Sequence, residues 1–261
     1  MALVLALITY VPAILMLYWV LATGAALFTL LLRDLGPAFS AAVLLSASRG
    51  KTWNDKPTAK LGPLTDMHVP QSWFAHFYMG ARMHLIAYLF GMSYYIVLPM
   101  SILPSGTWKQ LADLQATQEW NGLGNGNVWL RLIPGTLHYS AMPAVFLGVG
   151  VFVAGNVLQF QSHWILAKLR SQLSGQGKKE GDYSIPRGGT FELVSCPHYL
   201  GEIVIYAGLL IVLGCNNLLS YIIFIWVVAN LLLAAGPTHK WYQVQFKQYP
   251  ANRRALIPFL Y

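Results

Sequence analysis

Long apolar runs separated by short polar segments dominate this chain. A helix that crosses a bilayer needs roughly 20 apolar residues. Five stretches meet or approach that length: Leu3 to Leu32, His84 to Leu103, Leu132 to Leu158, Tyr199 to Gly214 and Leu218 to Gly236. Two further apolar pieces are ambiguous. Ala38 to Ser48 is too short to cross alone, and Trp73 to Met83 either extends the second span or lies at the interface. The first run has no basic n-region and is too long for a signal-peptide core, so it reads as a span. No internal repeat is visible.

Composition strengthens this picture. The chain is 56% hydrophobic and only 10% charged, with mean hydropathy +0.50, whereas soluble domains carry about 25% charged residues. So few charges cannot cover a water-facing surface. The expected fold is an all-α, polytopic transmembrane helical bundle of about five to seven spans, forming a single membrane domain over 1–261. Two cysteines, Cys196 and Cys215, exclude a disulfide framework and a Cys-rich metal site. His138 and His163 lie far apart and no paired histidines sit with a carboxylate, so no metal site is expected.

The formal net charge is +8. Nucleic acid is not the expected partner; Lys and Arg flanking spans on the cytoplasmic side account for the charge. Arg49, Lys51, Lys56 and Lys60 form one basic segment. Lys168, Arg170, Lys178, Lys179 and Arg187 form a second, and Lys240, Lys247, Arg253 and Arg254 a third. The segment Pro104 to Arg131 is balanced in charge. Five spans with a lumenal N-terminus and a cytosolic C-terminus satisfy all four assignments. Asn121 to Asn127 is a Gly-rich loop without the strand–helix context of a nucleotide-binding turn.

The stretch most suited to chemistry runs from Tyr183 to Glu202, a polar Gly-rich turn leading into an apolar helix with His198 and Glu202 one turn apart. Ionisable groups at the mouth of a span are expensive and usually functional. Gln159 and His163 reach the same membrane face at the end of the third clear span, and His239 and Tyr242 follow the last. A cofactor of cytosolic origin would meet these groups together.

These residues carry a resemblance. Ile165 to Arg170, Tyr183 to Glu202, His239 to Tyr242 and Phe246 to Tyr261 resemble the steroid 5-alpha-reductase family, and within it the polyprenol reductase branch. Order and spacing hold over about 100 residues, and the family-like region with its NADPH site is 104–261. Ser195 to Leu200 is similar to the polyprenol branch; steroid-reducing members usually have Asn where this chain has His198. Arg49 to Lys51, Lys56-Pro57 and Val69 to Tyr78 give a second match, and Tyr88 to Leu98 a weaker third. The family has about seven spans, and the shortage here lies between Trp73 and Leu103. Its carbonyl-binding Tyr falls in the missing portion. The Gln-Glu pair of steroid-reducing relatives is replaced by His76 and Phe77.

The resemblance implies a multi-pass protein of the endoplasmic reticulum membrane that binds NADPH from the cytosol. It would reduce a carbon–carbon double bond conjugated to a carbonyl, on a polyprenoid lipid or a steroid, feeding dolichol synthesis and N-glycosylation. Hydride addition to such a bond places negative charge on oxygen, which needs a hydrogen-bond donor. His76 or Tyr78 is expected to polarise that carbonyl, with interfacial packing as the alternative. Arg170 suits a cofactor phosphate, as Lys178 and Lys179 do less specifically. Gln159, His163, Arg170, Tyr183, His198, Glu202, His239 and Tyr242 are the expected cofactor contacts. Gly188-Gly189 either brings backbone N–H groups to the cofactor or is a plain turn. Three other functions remain open: a steroid 3-oxo-4-ene reductase, an isoprenylcysteine-type methyltransferase using S-adenosylmethionine, and an inactive lipid-binding member.

Overall fold

A computed structural model describes residues 2–47, 68–70, 82–103, 105–116, 142–175 and 183–261. The architecture is helical. In chain order the helices are α1 (Ala2–Leu31), α2 (Pro37–Ala47), α3 (Leu85–Ser101), α4 (Ser105–Ala116), α5 (Met142–Gly175), α6 (Pro197–Val212) and α7 (Leu218–Gln245). Two three-residue strands, β1 (His68–Pro70) and β2 (Arg82–His84), pair antiparallel with Val69 opposite Met83. Helix α3 starts at Leu85, directly after β2, so Arg82 and Met83 are strand rather than helix, and the rest of the piece that begins at Trp73 lies outside the described residues.

Among the described residues, three helices are long and apolar enough to cross a membrane: Thr9–Leu31 of α1, Met142–Gln172 of α5 and Leu218–Gln245 of α7. Helix α6 is equally apolar but, at 16 residues, falls short of a full crossing. Two expected boundaries move. Helix α5 runs on to Gly175, well past Leu158, so Gln159, His163 and Arg170 ride on the helix rather than after it. Helix α7 continues through Pro237 to Gln245, which puts His239 and Tyr242 on its last turns. Hydropathy ends where side chains become polar, whereas the backbone ladder continues.

Direction follows from contacts. Trp19 meets Trp226, while Ala26 clusters with Ala229 and Leu233, so α1 and α7 run the same way. Helix α6 returns against α7 through a short turn in which Gly214 and Cys215 take positive φ. The Asn217 side chain caps α7 by accepting from Leu219 N at 3.0 Å. Fully buried Trp19 anchors the core. Its ring packs against Tyr18, Tyr94 and Trp226, and its Nε1–H donates to Ser101 Oγ at 2.8 Å. Ser101 Oγ in turn donates to Val97 O, so both of these buried donors are used.

Helices α5 and α6 form the tightest pair. Gly148 and Gly155 on α5 face Gly208 and Gly201 on α6 in antiparallel register. A Cβ on Gly155 would stand 2.6 Å from Ile205 N, and one on Gly148 2.8 Å from Val212 N. A Cβ on Gly208 would strike Phe152 N. Small residues at such a seam let two backbones approach closely, the packing mode favoured where lipid removes the hydrophobic drive.

Candidate functional site

The C-terminal segment folds back on the turn that precedes α6. Ser195 N donates to Arg254 O at 2.8 Å, Cys196 N to Ala255 O at 3.1 Å, and Arg254 N to Leu193 O at 2.9 Å. One carboxylate clamps this join. Glu192 Oε1 accepts from Gly188 N at 2.7 Å, and Oε2 accepts from Arg253 Nη2 at 3.2 Å and Arg187 Nη1 at 3.4 Å. The Gly188 hydrogen bond, then the two guanidiniums, hold the Glu192 carboxyl below its ordinary value. Arg253 is buried, donates from Nη1 to Pro186 O at 3.0 Å, and lies over the Tyr249 ring. Gly188 and Gly189 have φ of +92° and +55°, a path that glycine takes without strain. The Gly188 amide is thus engaged by Glu192 within the turn.

Beside the clamp, Ser195 Oγ sits 2.6 Å from His239 Nδ1 and 2.6 Å from Tyr249 OH, and donates to Arg254 O at 3.2 Å. Gln243 Nε2 lies 2.9 Å from His239 Nε2. The Tyr249 ring stacks on buried Tyr242 at 5.4 Å and 9°. Trp241 meets Tyr242 on one side and exposed Tyr183 on the other, at 4.8 Å from the latter.

The α5–α6 seam forms the opposite wall. Gly201 leaves room for the Gln159 backbone, 2.8 Å from where its Cβ would be. One turn along α5, the His163 ring faces the His198 ring at 5.4 Å. Glu202 follows one turn into α6 and is half-buried. Exposed Arg170 is near enough to act electrostatically on both His163 and Tyr242, which links the two walls. The Tyr242 hydroxyl is also in range of Cys196, Tyr183 and Tyr249.

The structure therefore brings Gln159, His163, Arg170 and His198 to one end of α5–α6, and Tyr183, His239 and Tyr242 to the adjoining end of α7. His76 and Tyr78, the expected carbonyl partners, lie outside the described residues, as do Lys178 and Lys179. Among the described residues, no group of three or more metal-ligating side chains is found. Sequence reasoning did not single out Ser195, Tyr249, Arg253 or Glu192 as partners. The glycine spacing, seven residues on each of α5 and α6, was the readable sign of the seam.

A predominantly helical membrane protein with its polar groups gathered at one end of three helices is the class these features define. A family model described as 3-oxo-5-alpha-steroid 4-dehydrogenase matches residues 117–261, more than half of the chain. The chain belongs to that family, the steroid 5-alpha-reductase family. It is similar to Polyprenal reductase 2 of Arabidopsis thaliana, 36% identical over 209 residues, covering 76% of this chain and 60% of the relative. Polyprenal reductase 1 of the same plant is 36% identical over 214 residues, covering 76% and 63%. Polyprenal reductase of Danio rerio is 34% identical over 187 residues, covering 72% and 54%. The chain thus spans between half and two thirds of the length of these curated relatives.

Proposed function

We propose that this protein is an NADPH-dependent oxidoreductase that saturates the alpha double bond of a polyprenal, yielding the dolichol series. The observation that carries the reading is the convergence of Arg170, Tyr183, His198, His239 and Tyr242 at one end of the bundle, within the family-matched portion. The polyprenal reductases among its relatives supply the substrate class.

The donor set fits NADPH. Arg170 offers an exposed guanidinium to a phosphate, at a point where it acts on both walls. Tyr183 and Trp241 offer ring surfaces beside it. His198 and Glu202, one turn apart on α6, would meet the amide and hydroxyl groups of the reducing end. When bound, the reduced nicotinamide supplies a hydride to the beta carbon of the enal. Saturation also needs a proton at the alpha carbon, with the intervening negative charge resting on the aldehyde oxygen. His76 or Tyr78 would stabilise that oxygen, a role that rests on the resemblance alone. The short α6 and the apolar faces of α5 and α7 supply a hydrocarbon setting suited to an isoprenoid chain. The positive-inside pattern supports five to seven spans with this end cytosolic, in an endoplasmic reticulum membrane.

A 3-oxo-4-ene steroid is the second reading, favoured by the description of the matching family. The test is NADPH oxidation by purified protein with polyprenal and with a 3-keto-4-ene steroid in parallel. Turnover with polyprenal supports the proposal. Turnover with the steroid alone replaces it. NADPH binding without oxidation of either favours an inactive lipid-binding member, and binding of S-adenosylmethionine in place of NADPH favours a methyltransferase.

A further inference from the structure

Ser195 occupies a position that the reading above leaves unexplained. It is buried, lies just ahead of α6, and its hydroxyl has three partners from two distant parts of the chain. A serine hydroxyl has one proton to donate and two lone pairs. With that proton assigned to Arg254 O, which also accepts from Ser195 N, the two lone pairs are left for His239 Nδ1–H and Tyr249 O–H. His239 Nε2 faces the amide nitrogen of Gln243, a donor, so Nε2 carries the lone pair. Both ends of the imidazole call for the same tautomer.

We propose that Ser195 is a positioning residue that holds His239 as the Nδ1–H tautomer, so that Nε2 is presented as a hydrogen-bond acceptor. On the outer side, among the described residues, the exposed Gln243 amide meets Nε2. A ligand hydroxyl or amide N–H that displaces Gln243 finds an acceptor already oriented, with no rotamer or tautomer search to complete. Because Ser195 also bonds Tyr249 and Arg254 O, the folded-back segment sets the aim of His239. The ligand side of this inference rests on the proposed NADPH site; the tautomer itself does not.

Two measurements on the full chain test it. NMR of protein carrying labelled histidine reads the tautomer directly, with His239→Asn assigning the signal. The Nδ1–H form is expected in the unaltered protein, its loss in Ser195→Ala, and its return in Ser195→Thr. An Nε2–H form in the unaltered protein overturns the inference, and this readout needs no cofactor. Kinetically, Ser195→Ala should raise KM for NADPH about tenfold with kcat little changed, as expected for one lost directed hydrogen bond. On a His239→Ala background it should add nothing. An undiminished Ser195→Ala effect on that background, or an unchanged KM, overturns the positioning role. Should Ser195→Ala fail to fold, Ser195→Thr and the unaltered protein still decide the tautomer. Failure of the unaltered protein to oxidise NADPH sinks the functional reading and leaves the tautomer result standing.

Discussion

A β-carbon added to Gly201 would lie 2.8 Å from the backbone nitrogen of Gln159 on the facing helix. Backbone cannot yield as a flexible side chain can. Gly201→Ala and Gly155→Ala are therefore expected to destabilise the protein by about 1–3 kcal/mol through overpacking. Gly24 and Gly150 have nothing within 4 Å of their added carbons, so Ala there should be neutral or slightly stabilising. Thermal melting of the four variants in one detergent separates them. Equal melting temperatures would mean that the two helices are not this close.

The Glu192 clamp predicts a pH dependence. Its carboxyl is held below the ordinary value, so its contribution is fully present above that value and is lost as pH falls through the lower, folded-state one. The melting-temperature gap between unaltered protein and Glu192→Gln should stay constant from neutral pH to about pH 5, then close below about pH 4. A gap that widens on acidification contradicts the clamp.

The two arginines on Glu192 are not equivalent. Arg253 is buried and also holds Pro186 O, whereas the Arg187 side chain is 57% exposed. Arg187→Ala should cost less than about 1 kcal/mol, in line with surface ion pairs. Arg253→Ala should cost about 3 kcal/mol, since it removes a buried partner and strands a carbonyl. Denaturation of the two variants side by side gives the ranking.

In the proposed function Arg170 and His198 take opposite ends of the cofactor. Arg170→Ala should raise KM for NADPH about tenfold, with the loss growing weaker as salt rises. His198→Ala should reduce kcat as well as affinity, because its partner is expected to be the reducing end. Steady-state kinetics at two ionic strengths would expose the reverse pattern if the roles are exchanged.

The helical membrane character was legible because apolar runs of span length are difficult to use otherwise. Helix ends were less so. Gly236-Pro237 reads as a stop, yet α7 continues to Gln245, with Thr238 Oγ1 donating to Ala234 O beside the proline. Hydropathy sees the side chains, and the backbone ladder is indifferent to them. Motif and resemblance singled out residues that the fold gathers at one end, His198 and Tyr242 among them. Their pairings were not. Ser195 and Tyr249 are 54 residues apart, and nothing in either neighbourhood announces the fold-back that joins them. Glu192 and Arg253 are 61 apart and depend on the same turn. Contacts made by chain reversal leave no periodic trace.

The glycine seam has a mechanical consequence. With two backbones in contact along four small residues, α5 and α6 cannot hinge against each other without tearing the seam, and they move as one plank. Relative motion of this pair against the rest of the bundle then falls to the α6–α7 side, away from the seam. That side is joined by the turn at Gly214 and Cys215, where both residues bend the left-handed way.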